Sequence, residues 1–481
     1  MPTSFNRFMV GDVALFERRF SAEDFQAFSR LSGDANPLHH DAAHAKSTAF
    51  GRPIVPLHLT LAPLSRIAGM IFPGEPSLYL GHEIRAAHPV YYGEALRYSA
   101  RIASINAAHR VLGLRVLALR GTTVVLDAEM RVQATADRWE SEPAEPILHT
   151  RDPGRALVTG ASGAIGGAVA LALASRGWSL LLQDRGGKER RKEMTAHLGR
   201  LGADFHFVGA DLALSKDRAA LQGELSRLGD VEVLVHCASP GLDASLQDLV
   251  AVNYQAFKDA TDAALPIMLQ RQKGRVLLIG STAMLRGLPD MEDYAAAKNM
   301  AAGFASGIDS QYSNYGVRGM VLMPGFVATR FSEKIIGAEP ALLPEEVAEA
   351  AVDMVVRPDA AAAILEVGRR DTGRIGFNRI PVSAPASNNS AAEATSSTAP
   401  GDLAIDAKIA NAVRKVLRLP QTLELKGGGI NATPGWDSLG QIQILLALES
   451  SFDIKFTADE LTELRYFDTL VKSCQRKISK R

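Results

Sequence analysis

Two groups of residues in this chain have types and spacings that can do chemistry. Tyr294 and Lys298 stand four apart, so on a helix they share one face, and Ser281 precedes Tyr294 by 13 positions at the end of an apolar run. A phenol with a pKa near 10 protonates an alkoxide poorly at neutral pH, whereas a neighbouring ammonium stabilises the phenolate and lowers that pKa. With Ser281 holding a carbonyl oxygen, the set makes a proton donor. The second group is Asp34 and His39, in the string Ser32-Gly33-Asp34-Ala35-Asn36-Pro37-Leu38-His39. Asn36 and Pro37 shape a turn that sets the pair close together. Such a pair moves one proton from carbon and delivers another to oxygen, as adding or removing water at an activated double bond requires. The same string is also ordinary turn chemistry. The crowding of His39, His40, Asp41 and His44 admits a zinc site too, although metal ligands usually converge from more than one element. No metal is expected.

These groups need a frame, and 481 residues are too many for one core, so about three modules are expected. An apolar fraction of 47% and a charged fraction of 22% exclude a mostly disordered, collagenous or coiled-coil chain. With 53 basic against 53 acidic side chains there is no global field to gather nucleic acid or an anionic membrane. Two cysteines, Cys237 and Cys474, are too few for a disulfide framework and fit a reducing compartment. No secretory signal and no long uncharged apolar run appears, so a cytoplasmic protein without a membrane span is expected. Residues 383–401, rich in Ser, Thr, Ala and Pro with one charge, read as a flexible linker spanning about 24 Å. Prolines at 143, 146 and 153 mark a softer boundary. The modules are therefore 1–140, 152–381 and 402–481.

In the first, a helical run at 57–72 precedes alternating runs at 96–105, 110–119 and 122–132, the pattern of antiparallel strands around a helix. The middle module opens with a strand, a glycine-rich turn (Thr159-Gly160-Ala161-Ser162-Gly163-Ala164-Ile165-Gly166) and a helix. Short apolar runs then alternate with helices, as in a parallel sheet covered on both faces. Such a turn brings backbone N–H groups and a helix N-terminus to a pyrophosphate, although a tight structural turn reads the same way. The last module shows helical stretches at 403–418, 438–451 and 468–479 and reads as a small bundle.

Over most of 152–381 the sequence resembles the short-chain dehydrogenase/reductase family, through the glycine turn, Ser281, YAAAK at 294–298, Asn253, and Pro324-Gly325 with Thr329. The resemblance implies a doubly wound α/β Rossmann fold and an NAD(H) or NADP(H) cofactor. Tyr294 becomes the acid/base and Lys298 its tuner and a ribose ligand, with Ser281 polarising the carbonyl and Asn253 holding a relay water. It implies cofactor contacts from Gly160, Ser162, Gly163, Ile165, Gly166, Ala238, Pro324, Gly325 and Thr329, and adenine-side contacts from Asp211 and Leu212. Asp184 ends the second strand where an acid accepts ribose hydroxyls, yet Arg185 follows and suits the extra phosphate of NADP. Repulsion between a carboxylate and that phosphate tips the balance slightly to NADH. Two departures loosen cofactor binding: Ala164 replaces the family's middle glycine, and His236-Cys237-Ala238-Ser239 replaces its Asn-Asn-Ala-Gly loop. The stretch from that loop to Asn253 is also short for the family.

The Asp34–His39 string is similar to the signature of MaoC-like R-specific enoyl hydratases and dehydratases, which implies an α+β hot-dog fold and makes Asp34 and His39 the catalytic pair. Where that family has a glycine whose N–H binds the thioester oxygen, Leu57 stands here and narrows the acyl pocket. The tail, with Gly435-Trp436-Asp437-Ser438-Leu439 opening an apolar-faced helix, resembles an acyl carrier protein: an all-α four-helix bundle with 4′-phosphopantetheine on Ser438, loaded by a phosphopantetheinyl transferase. Its 12 basic against 10 acidic residues in 402–481 depart from the acidic habit of carriers.

Together these resemblances imply a multifunctional enzyme that reduces a β-ketoacyl thioester, interconverts the 3-hydroxyacyl and 2-enoyl forms, and holds the acyl group on its own carrier. A separate condensing enzyme and acyltransferase, and a homo-oligomer formed through the first two modules, are the expected partners. A CoA-thioester enzyme of a degradative or storage pathway, and a non-catalytic acyl-delivery protein, remain as alternatives.

Overall fold

A computed structural model describes residues 3–149, 153–285, 290–329, 341–357, 364–369 and 375–379. Towards the C-terminus it describes 400–417, 419, 425–426, 428–429, 433, 436, 444–445, 447–449, 451–452, 454, 456, 464 and 466–478. The chain divides into two compact units, Met1–Pro381 and Val382–Arg481. The first two modules thus form one body rather than two.

In the first module a six-stranded antiparallel sheet runs in the order Ser77–Ala86, Thr123–Ala134, Val111–Arg120, Leu96–Asn106, Val13–Arg18, Ile147–Leu148. Helix Leu57–Met70 buries Leu61, Leu64, Ile67 and Ala68 in the same core as Tyr98, Leu112, Leu114 and Val132 from the sheet. The three strands legible from alternation are present. The edge strand Ser77–Ala86 was missed because most of its residues stay exposed, which blurs the alternation. The boundary region is not an irregular linker. Arg138–Trp139 pairs with Thr3–Ser4, Trp139 stacks on Phe8, and Ile147–Leu148 adds to the main sheet.

An eight-stranded sheet forms the middle module, in the order Phe205–Gly209, Ser179–Asp184, Arg155–Thr159, Val231–His236, Gly274–Ile279, Val317–Pro324, Ile364–Arg369, Ile375–Arg379. Seven strands are parallel and the last is antiparallel. Strand order reverses between Arg155–Thr159 and Val231–His236, so a crevice opens at their carboxyl ends, where open α/β sheets bind ligands. Continuous apolar burial of Leu180–Leu182 and Val233–Val235 reflects helices on both faces.

The modules are welded along strand Val111–Arg120. Its outer residues Leu117 and Leu119, with Val124, share a core with Leu265, Met268 and Leu269 of helix Ala256–Arg271. Gln272, left-handed at φ +50° and 5% exposed, caps that helix. Its amide donates to the Ser99 carbonyl, Ser99 Oγ and the Arg115 carbonyl at 3.1–3.2 Å.

In the second unit, helices Pro400–Leu417 and Phe467–Ile478 contribute Ile409, Val413, Leu470 and Cys474 to a cluster around buried Trp436. The helix begins inside the stretch read as linker, whose remainder (383–399) lies outside the described residues, as do Asp437 and Ser438. Among the described residues no helix is long and apolar enough to cross a membrane.

Candidate active site

The switch-point crevice of the middle module is a cavity of about 880 Å³. Its floor is the glycine turn. A Cβ on Gly166 would lie 2.3 Å from the Gly160 carbonyl oxygen, and one on Gly160 would lie 2.8 Å from Ala238 Cα, so only glycine lets these strands and the helix Ala164–Ala174 close up. Ala164, by contrast, sits at the first helical position and lines the cavity.

Helix Glu292–Tyr312 carries Tyr294 and Lys298 on its buried face, and Ser281 lies two residues past the end of the strand Gly274–Ile279, where it caps the short turn Thr282–Met284. All three line the cavity. Ser281 and Tyr294 are joined by a side-chain hydrogen bond, and burial pushes the phenol up to about 12 against that bond's downward pull. Lys298 Nζ donates to the Ile279 carbonyl at 2.8 Å and lies 5.9 Å from the Tyr294 ring centre, while burial pushes it down to about 8. Burial dominates the phenol and only the Ser281 bond opposes it, so the expected lowering by the ammonium is not found. Asn253 is fully buried on a π-helical turn, Ala251–Gln255, and donates from Nδ2 to the Leu249 carbonyl at 2.9 Å.

Of the expected cofactor contacts, Gly160, Ser162, Gly163, Ile165, Gly166, Pro324, Gly325 and Thr329 line the cavity, and Ala238 lies between two lining residues, Cys237 and Ser239. Asp184, Arg185, Asp211 and Leu212 are not among the residues lining it. Asp211 caps its own turn through Ala213 N–H, and Leu212 is buried. The Asp184 carboxylate is wholly buried and turned inward. It accepts from Gly186 N–H at 3.0 Å and is gripped by Arg191, whose Nε lies 3.2 Å away. The ground for favouring NADH, a carboxylate facing the ribose, is thereby removed. Arg190 lines the cavity instead, its Nη1 donating to the Ser162 carbonyl at 3.1 Å. Its sequence context hides it, because the first six residues of helix Lys188–Arg200 are all charged. The residues present suit a dinucleotide: a glycine cradle at a helix N-terminus, a cavity long enough to reach Tyr294, and a buried Ser239 Oγ that, among the described residues, has no hydrogen-bond partner.

A second cavity, about 520 Å³, opens in the first module and is lined by Asp34, His39, Phe50, Leu57, His58 and His88 among others. His39 Nδ1 donates to the Ile54 carbonyl at 2.9 Å, which leaves the Nε2 lone pair facing Asp34 Oδ2 at 3.8 Å. Asp34 Oδ1 accepts from Asn36 N–H and Asn36 Oδ1 from Leu38 N–H, both at 3.0 Å, so the turn itself aims the pair. Of the other candidate metal ligands His40, Asp41 and His44, His40 meets the Ala35 carbonyl and Asp41 caps the helix Ala42–Lys46, on which His44 lies. Leu57 opens its helix behind Pro56, so its N–H is one of the donors a helix leaves unpaired, and its side chain, 38% exposed, forms part of the cavity wall. The sequence did not flag Tyr92. Its buried hydroxyl has no hydrogen-bond partner among the described residues, and burial together with the Asp34 carboxylate pushes it up to about 12.

The short chain dehydrogenase family model matches residues 155–339, and the MaoC like domain model matches residues 10–112. A 3-oxoacyl-(acyl-carrier-protein) reductase of Synechocystis sp. is 30% identical over 240 residues, which are 46% of this chain and 97% of that protein. The (R)-specific enoyl-CoA hydratase of Aeromonas caviae is 38% identical over 97 residues, 20% of this chain and 72% of that protein. The chain belongs to both families. A solved short-chain dehydrogenase from Sphingobium yanoikuyae, in complex with NADPH, is 25% identical with a TM-score of 0.40, over 44% of this chain and 87% of that one. The short-chain dehydrogenase module thus carries the larger cavity and the MaoC-like module the smaller one, within a single compact unit.

Proposed function

We propose that the chain reduces a 3-oxoacyl thioester to the 3-hydroxyacyl thioester in its short-chain dehydrogenase module and interconverts that product with the 2-enoyl thioester in its MaoC-like module. The observation that carries this reading is the presence, in one compact unit, of a cavity lined by Ser281, Tyr294 and Lys298 and another lined by Asp34 and His39. Relatives of the two modules are named for reactions that share a 3-hydroxyacyl thioester.

In the larger cavity the glycine turn, Pro324, Gly325 and Thr329 would hold a nicotinamide cofactor, which supplies hydride when bound. Ser281 orients the carbonyl oxygen, and Tyr294 transfers its hydroxyl proton to that oxygen. The phenol is protonated at neutral pH, the state from which it donates. Arg190 at the cavity favours NADPH, because a guanidinium pairs with a 2′-phosphate better than with ribose hydroxyls. In the smaller cavity His39 Nε2 and Asp34 exchange protons with the α-carbon and the β-oxygen, while Leu57 N–H at its helix N-terminus meets the thioester oxygen.

The tail is read as the carrier of these thioesters on a phosphopantetheine arm at Ser438, in fatty-acid-like or related acyl biosynthesis. Its support is the sequence around Ser438 and the tether-like composition before it.

The test is product analysis by mass spectrometry with 3-oxobutyryl-CoA and NADPH. Wild type is expected to yield 3-hydroxy and 2-enoyl products, Asp34→Asn the 3-hydroxy product alone, and Tyr294→Phe neither. Dehydrated product from Asp34→Asn, or undiminished turnover by Tyr294→Phe, refutes the corresponding half.

A further inference from the structure

His236 ends strand Val231–His236 opposite Thr159 and has no exposed surface. Its ring spans two neighbours: Nδ1 lies 2.9 Å from Thr159 Oγ1, and Nε2 lies 3.0 Å from the Val252 carbonyl oxygen. A carbonyl only accepts, so Nε2 carries the hydrogen and Nδ1 accepts from the Thr159 hydroxyl. That hydroxyl oxygen in turn accepts from Ala238 N–H at 3.3 Å. The ring packs on Phe257 at 5.2 Å between centres. Three segments thus meet at one imidazole: the first residue of the glycine turn, the loop that puts Cys237 and Ser239 on the cavity wall, and the turn that bears Asn253.

That turn is wound as π-helix between the helices Leu246–Val250 and Ala256–Arg271, a wider winding that recurs at functional sites. Asn253 follows the carbonyl that His236 holds. Its Nδ2 is spent on Leu249, while its Oδ1 is buried and, among the described residues, accepts no hydrogen bond.

We infer that His236 is a positioning residue for the reductase: by holding the Val252 carbonyl and the Thr159 hydroxyl with one rigid ring, it sets the register of the Asn253 turn against the glycine turn. This rests on the reductase reading above. Two bonds on one ring are separable by substitution, because a glutamine amide extends as far as Nε2 and an asparagine amide only as far as Nδ1. His236→Gln keeps a donor for Val252. His236→Asn keeps the Thr159 partner and gives up Val252.

With the full chain, 3-oxobutyryl-CoA and saturating NADPH, His236→Asn is expected to lower kcat about tenfold with little change in the KM for NADPH, and His236→Gln to restore most of it. In an Asn253→Ala background the same His236→Asn change should cost less than about twofold, since its effect runs through Asn253. Equal kcat values for the two His236 variants, or additive costs in that cycle, overturn the assignment. Hydrogen exchange of a peptide covering 249–257 reads the turn independently of turnover. Faster exchange in His236→Asn than in His236→Gln supports the tie, and equal exchange overturns it, even if wild type reduces no 3-oxoacyl thioester and the reductase reading itself falls.

Discussion

Acidification is a sharp test of the buried imidazole at 236. Burial first, and the Lys298 charge second, push His236 down to about 3, far below the ordinary 6.5. The unfolded chain therefore binds a proton that the folded chain refuses. The neutral ring contributes its full stability above about pH 6.5, and that contribution falls by up to about 1.4 kcal/mol per unit as the pH drops from there towards 3. Between pH 7 and pH 5 the loss from this one group is about 2 kcal/mol, and a folded value one unit higher leaves that figure unchanged, because the ring is still neutral at pH 5. His236→Gln has no titrating group there, so its stability should be less sensitive to pH by the same amount. Urea unfolding of the full chain at pH 7 and pH 5, followed by tryptophan fluorescence, to which Trp178 in the core beside the sheet contributes, compares the two proteins. Equal losses in wild type and His236→Gln would mean that the ring takes up a proton in the folded protein, and the tautomer assigned to it, with Nδ1 accepting from Thr159, would be wrong.

Arg190→Ala should raise the KM for NADPH about tenfold while leaving that for NADH nearly unchanged, and parallel changes for both cofactors in steady-state kinetics would remove Arg190 from cofactor choice. Gln272→Asn keeps a residue that tolerates the left-handed backbone but is too short to reach Ser99 and Arg115. It should cost roughly 1–3 kcal/mol in urea unfolding through the carbonyls left unpaired between the modules, and an unchanged midpoint would show that the apolar contact of Leu117, Leu119 and Val124 suffices. Incubation with CoA and a phosphopantetheinyl transferase should add one phosphopantetheine to the intact mass of wild type and none to Ser438→Ala; modification of the variant, or of neither protein, defeats the carrier reading.

What the sequence determined by itself was local. Three residues between Tyr294 and Lys298 put both on one helix face, and the small residues Gly160–Gly163 shape a turn, because helix and turn geometry depend on short spacing alone. The Asp34–His39 pair was legible for the same reason: Asn36 and Pro37, between the two, build the turn that aims them. Other features required tertiary structure. Whether Asp184 faces ribose or protein depends on Arg191, one helical segment on and reachable only once strand and helix pack together. Arg190 reaches the glycine turn across the same contact, and His236 joins Thr159 and Val252, 77 and 16 positions away. The union of the first two modules rests on strand Val111–Arg120, whose apolar residues serve a core on each face; alternation reveals which side of a strand is apolar, but not that a second module covers the other. Side-chain type and spacing thus showed which chemistry was available, while contacts distant in sequence, set only by the folded packing, decided which charges face the cavities and which are spent inside the protein.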